Sequence, residues 1–174
     1  GEIKNGEGKF YSVFTPFKNK FLLELKKEYT AKQICNLDKL KDVKKFESKS
    51  LKKIDIDVKE SGEIKGGRTE ALKRLKTFYH DKLVHYKEQR DFPDVHGTSF
   101  LSPHIHFGTI GIRELFRLAF NKIDKEVKNA DEKINVDTWI YELIWREFYY
   151  NITFHNPQIV TESFRPEYDN LKWS

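Results

Sequence analysis

The chain has 174 residues, room for one or at most two domains with a modest core. Apolar residues make up only 38% against 34% charged, but an aromatic share of 14% compensates, because each aromatic side chain buries a large area. The net charge of +5 suits a polyanionic partner without identifying one, and the single cysteine, Cys35, excludes a disulfide framework or a cysteine-rich metal site.

No apolar run approaches the roughly 18 residues of a membrane span, and no secretory signal follows the charged start Gly1–Lys9. The reading is a reducing, cytoplasmic setting. A first residue that is not Met and an end at Ser174 are read as marking an excised piece of something longer.

Residues Phe10–Phe17 form a short aromatic segment closed by Thr15-Pro16, where proline favours an extended residue before it. A short amphipathic helix is predicted from about Lys18 to Tyr29, with Phe21, Leu22 and Leu25 on one side. Ala31–Lys65 is rich in Lys, Asp and Ser and reads as a connector lying against a surface, ended by Gly66-Gly67. Then Leu72, Leu75, Tyr79, Leu83 and Tyr86 recur at spacings of 3, 4, 4 and 3, the stripe of a helix that Asp91-Phe92-Pro93 stops.

Pro103 opens a short helix, and Gly108-Thr109 opens another in which Ile112, Leu115, Phe116 and Ala119 share a face. A charged loop over Asp124–Lys133 leads into the last strong helix, from about Val136 to His155. No repeat and no sustained period-2 stretch is present, so the fold class is mainly α.

Three places have chemical potential. In Gly97-Thr98-Ser99-Phe100-Leu101-Ser102-Pro103, the Ser102-Pro103 pair suits an N-cap and first helical position, leaving free backbone N–H groups. With three hydroxyls beside them, they suit a phosphate or pyrophosphate, although spacing alone favours an ordinary capped turn. No Gly-x-Gly-x-x-Gly or P-loop pattern accompanies them.

In the last helix, Tyr141, Ile144, Phe148 and Ile152 form a core face, while Glu142, Trp145, Arg146 and Tyr149 fall on another. That second face can stack a base, hydrogen-bond its edge and contact a phosphate. It can equally be a Glu142–Arg146 helix pair beside a half-buried Trp. The histidines have no zinc spacing, since His104/His106 and His80/His85 are two and five apart; His155 suits a helix C-terminus or a place beside DNA.

Taken in order, these segments resemble the DNA photolyase/cryptochrome family. Gly66-Gly67-Arg68 with Ala71–Leu75, then Tyr86, Arg90-Asp91-Phe92-Pro93, Gly97-Thr98-Ser99, Leu101-Ser102-Pro103 and Phe107-Gly108 follow the family's order and spacing. Trp139 and Glu142–Tyr149 match its most characteristic helix, and Val13–Phe17 resembles the segment leading out of the antenna domain. The resemblance implies a connector over residues 1–65 and the N-terminal part of the helical FAD- and DNA-binding domain over 66–174.

It also implies roles. Tyr86 and Thr98, Ser99, Phe100, Leu101 and Ser102 would contact FAD, with Trp139 and Arg146 lining the flavin side. Arg90 would meet the DNA backbone, Glu142 would hydrogen-bond the flipped-out pyrimidine dimer, Trp145 would stack near it, and Tyr149 would lie beside the DNA. Glu at position 142 resembles the class I cyclobutane-dimer enzymes, whereas the (6-4) enzymes and animal cryptochromes tend to carry Gln there. The hard step would belong to photoexcited reduced FAD, with Glu142 steadying the dimer radical anion from its protonated form or beside another proton source.

The implied partner is DNA containing pyrimidine dimers, bound by a monomer, with an antenna chromophore held by an absent N-terminal domain. The fragment alone is expected to bind FAD weakly or not at all and to repair nothing. A cryptochrome-type photosensor, a flavin-free helical DNA-binding module with salt-dependent affinity, and a nucleotide-binding scaffold resting on Thr98–Ser102 are the alternatives.

Overall fold

A computed structural model describes residues 3–28 and 65–171. Apart from Lys65, the Ala31–Lys65 connector reading falls outside them, as does Cys35. The described residues are helical as expected, with no strand among them and only an isolated antiparallel bridge between Lys4 and Phe10.

Six α-helices follow in chain order: α1 Phe14–Glu28, α2 Arg68–Thr77, α3 Tyr86–Gln89, α4 Ser102–His106, α5 Ile112–Lys125 and α6 Ala130–His155. Helix α6 has 26 residues, about 39 Å at the helical rise, and α1, α3 and α5 all pack against it. Its buried side comprises Val136, Trp139, Ile140, Leu143, Ile144, Phe148 and Ile152. That stripe is wider than the expected face, and Tyr141 is only half-buried.

Helix α6 begins six residues before the expected Val136. Asn129 stands at its N-cap, where its side chain accepts a hydrogen bond from the Glu132 amide at 2.9 Å. The Glu132 carboxylate accepts one from the Lys128 amide, also at 2.9 Å. Two orphan donors are thus satisfied reciprocally, as in a capping box; of the segment read as a loop, Ala130–Lys133 is the first turn of α6 and Asp124 and Lys125 end α5.

Helix α1 also starts early, because Pro16 falls in its first turn, where no backbone N–H is required. Thr15 is accordingly helical rather than extended. Phe17, Phe21 and Leu25, at i, i+4 and i+8, are buried. Phe17 meets Phe148 of α6 with ring centroids 5.3 Å apart, and Phe21 meets Phe116 of α5 at 5.9 Å. The side chains of α1 therefore share one core with the later helices.

Between α2 and α3 the predicted stripe is corrected. Leu72 is 39% exposed and Tyr79 half-buried, while Ala71, Leu75, Phe78, Leu83 and Tyr86 are buried. Their spacings of 4, 3, 5 and 3 include a step of five, which a regular α-helix would send off the face. A π-helical turn over Phe78–Lys82, followed by a 3-10 turn over Leu83–His85, absorbs the extra residue. Phe78 is thereby set against Tyr86 at 5.8 Å and Trp139 at 5.1 Å.

The ends of the π turn and of α5 are tied by charge. The Tyr79 hydroxyl donates to Glu126 at 2.6 Å, and the buried Lys122 donates to the same carboxylate at 2.9 Å. These two bonds hold the Glu126 carboxyl below its ordinary 4.5, while burial first and then the bond to Glu126 keep the Tyr79 hydroxyl protonated.

Two outcomes follow. Asn129→Ala removes a cap and costs about 1 kcal/mol in a urea melt, with the slope unchanged. A carboxyl with a depressed folded pKa stabilises above its unfolded value, 4.5, and that contribution disappears as pH falls through the lower folded value. Glu126→Gln therefore lowers Tm at pH 7, and the gap from the parent narrows as pH drops below 4.5; a gap that stays constant with pH contradicts the assignment.

Candidate flavin and DNA site

Helix α6 presents a second stripe beside its buried one. Trp139, Glu142, Leu143, Arg146, Tyr149, Tyr150 and Thr153 recur three or four residues apart and line one side of a cavity of about 690 Å³. Tyr86, at the start of α3, lies opposite with Ser99 and the α4 residues Ser102, Pro103, Ile105 and His106. Trp139 and Leu143 belong to both stripes, so the floor of the cavity is also the roof of the core.

The loop before α4 is placed by a close approach. A Cβ at Gly97 would lie 2.5 Å from Gln89 Cβ and 2.9 Å from its carbonyl carbon, so the loop rests directly on the end of α3. Leu101, fully buried, pins the other end. Ser102 is the first residue of α4 rather than its cap: Leu101 occupies the cap position, and no side chain bonds there. The Ser102 side chain is exposed at the cavity, while Ser99 Oγ accepts from the Leu101 amide at 3.4 Å.

Seven of the twelve residues expected at the site are therefore gathered on one cavity: Tyr86, Ser99, Ser102, Trp139, Glu142, Arg146 and Tyr149. Thr98 and Phe100 instead line a second, smaller cavity together with Ser99, and the Leu101 side chain is in the core. Arg90 is outside the lining but reaches it by pairing its guanidinium with the Glu142 carboxylate. That hydrogen bond leads the causes that hold Arg90 above its ordinary pKa. Burial, then the Glu142 charge, raises the Tyr86 hydroxyl, which keeps its proton and remains a donor.

Trp145 is not part of the lining. Its ring lies parallel to Phe14 of α1, centroids 3.5 Å apart and planes within 5°, with Phe148 edge-on at 5.6 Å. Its next neighbour is Tyr149 at 5.6 Å. The Glu142–Arg146 helix pair is also not formed: Glu142 is held by Arg90, and Arg146 pairs with Glu147 and lies 4.6 Å over the Tyr150 ring. His155 stacks on Phe10 at 4.6 Å.

Sequence reasoning missed the remaining lining. Tyr150 and Thr153 were recoverable, since they continue the Glu142–Arg146 spacing along α6. Pro103, Ile105 and His106 had no such signal, because only the tertiary fold brings α4 across the cavity. Among the described residues no group of three or more His, Cys, Asp or Glu is placed to hold a metal, and no helix is long and apolar enough to cross a membrane.

The arrangement suits a ligand with a flat aromatic part and phosphates. Trp139, Leu143 and Tyr86 offer apolar and π surface, Ser99 and Ser102 offer hydroxyls, and Arg146 offers a guanidinium. Trp145, by contrast, anchors α1. A double-mutant cycle on Phe14→Ala and Trp145→Ala should return a coupling of about 1 kcal/mol in unfolding free energy; additive losses would mean that the stack is not formed.

No protein-family model matches the chain. It is 31% identical over 180 residues to a deoxyribodipyrimidine photo-lyase of Synechococcus, covering 99% of this chain and 37% of that protein. It is 30% identical to one from Halobacterium salinarum, covering 99% and 36%. A 109-residue stretch is 36% identical to the Neurospora crassa protein of the same name, covering 62% and 18%. The fold matches the crystal structure of a bacterial class III photolyase from Agrobacterium tumefaciens with a TM-score of 0.73, at 22% identity over 99% of this chain and 36% of that one. The chain thus spans a little over a third of the length of the first two of these relatives. Along nearly its whole length the chain is similar to proteins named deoxyribodipyrimidine photo-lyase, and it shares the fold of a photolyase.

Proposed function

We propose that this chain is the part of a deoxyribodipyrimidine photolyase that forms one side of the FAD pocket and of the surface that receives a cyclobutane pyrimidine dimer. The observation that carries this reading is the shared cavity: Tyr86, Ser99, Ser102, Trp139, Glu142, Arg146 and Tyr149 come from separate segments of the chain and meet there. Its volume of about 690 Å³ lies within the range of cofactor pockets.

The donor set fits FAD. Ser99 and Ser102 would hold the pyrophosphate, and Trp139, Arg146 and Tyr86 would line the flavin side. Thr98, Phe100 and Leu101 would contribute by setting the loop that carries Ser99. When bound and reduced, FAD supplies under blue light the electron that opens the cyclobutane ring.

The chain's own residues position the lesion. Glu142, at the cavity edge, would hydrogen-bond the dimer, and Arg90 would hold that carboxylate while facing the DNA backbone. Tyr149, 60% exposed, would lie beside the DNA, with Trp145 steadying its ring from 5.6 Å. The partner is DNA containing pyrimidine dimers, bound by a monomer in the cytoplasm, and an antenna chromophore would belong to a domain outside this chain. The chain alone, at a little over a third of its relatives' length, should hold FAD weakly and repair nothing.

The test uses the whole protein: its visible spectrum, and light-dependent reversal of thymine dimers with and without Glu142→Ala. Flavin absorption is expected, with repair falling at least about tenfold in the variant, the loss of one charge-assisted hydrogen bond. Flavin without repair would point to a photosensor, and no flavin to a helical DNA-binding module.

A further inference from the structure

On the α6 wall of the large cavity, two side chains compete for the Arg146 guanidinium. Glu147, the next residue along, pairs with Nη1. Tyr150, one turn further on, lies beneath: the guanidinium carbon is 4.6 Å from its ring centroid, and Nη2 is 3.5 Å from its hydroxyl. These partners pull in different directions. Successive residues of an α-helix point about 100° apart, so Glu147 draws Arg146 sideways, and Glu147 is outside the cavity lining. Residues four apart share a face, and Tyr150 lines the cavity together with Arg146.

The two pulls are of similar strength. The Arg146 and Glu147 side chains are 33% and 28% exposed, and an ion pair open to water contributes little. A cation over an aromatic ring contributes about as much at a surface and gains when water is removed. A ligand filling the cavity removes that water from Arg146 and Tyr150, while Glu147 stays off the lining. Packing does not explain the Tyr150 ring: it is 53% exposed and does not belong to the hydrophobic core.

We infer that Tyr150 is a positioning residue of the flavin site, whose ring keeps the Arg146 guanidinium on the cavity wall against the pull of Glu147. The inference rests on the flavin reading of this cavity and adds a residue that acts through Arg146 rather than by touching the cofactor. The ring is the working part, because the hydroxyl contact at 3.5 Å is too long for a strong hydrogen bond. A guanidinium held in this way can stack on a planar ring without first losing the freedom of a long side chain.

The experiment uses the whole protein, stripped of flavin and titrated with FAD. Four variants are compared with the parent: Tyr150→Phe, Tyr150→Leu, Arg146→Gln and the double variant Tyr150→Leu/Arg146→Gln, each checked for folding by circular dichroism. Tyr150→Phe keeps the ring and should bind FAD within about twofold of the parent, whereas Tyr150→Leu should bind about threefold to tenfold more weakly. In the Arg146→Gln background Tyr150→Leu should change nothing further, since no guanidinium is left to place. Additive losses would mean that Tyr150 touches the cofactor itself. Equal affinities of Tyr150→Leu and the parent would mean that Arg146 is held without the ring. Either result overturns the inference and leaves the flavin reading standing. Where Arg146→Gln binds too weakly to titrate, added salt decides. The deficit of Tyr150→Leu shrinks with salt if a charge has been misplaced, and a deficit that stays constant marks a lost stacking surface and overturns the inference. A parent that binds no FAD removes the flavin reading and this inference with it.

Discussion

The packing of aromatic rings onto one side of α6 is what every other feature leans on. Phe17 from α1 and Phe78 from the π turn are almost fully buried, and they meet Phe148 and Trp139 respectively. Burying a Phe contributes roughly 1.5–3 kcal/mol, so a chain poor in apolar residues overall obtains a core from few side chains. The same contacts fix the rotation of α6 about its axis. With the buried stripe facing inward, the adjoining stripe of Glu142, Arg146 and Tyr149 has to face the cavity, because the two are set by one helical period.

The elements opposite α6 are held by backbone geometry more than by burial. The π turn keeps Phe78, Leu83 and Tyr86 on one face despite a five-residue step, and so delivers Tyr86 to the cavity. Gly97 lets the following loop lie against Gln89 at a distance no side chain would allow. Ser99 is thereby set between two cavities, one lined by apolar and aromatic groups with a few polar ones, the other by lysines and hydroxyls.

Charge is arranged locally. Arg90 fastens Glu142 from outside the cavity, Arg146 is matched by Glu147, and Lys122 is buried only because Glu126 and the Tyr79 ring receive it.

The residues by themselves determined the helical class, the content of the α6 site face, and the order of segments that carries the family resemblance, because these rest on local periodicity and ordered motifs. Glu142, Arg146 and Tyr149 needed only a helix to become neighbours. The early start of α6 was also written locally, in Asn129 and Glu132, but it was hidden within a run of charges that looked like a loop. Other matters were decided only by the tertiary structure. Trp145 turned toward Phe14, 131 residues away, and Arg90 rather than Arg146 took Glu142 across 52 residues. Thr98 and Phe100 parted from Ser102 because the loop is pressed onto α3 at Gly97. Those choices depend on which surfaces meet when distant helices pack, and no spacing along the chain encodes that.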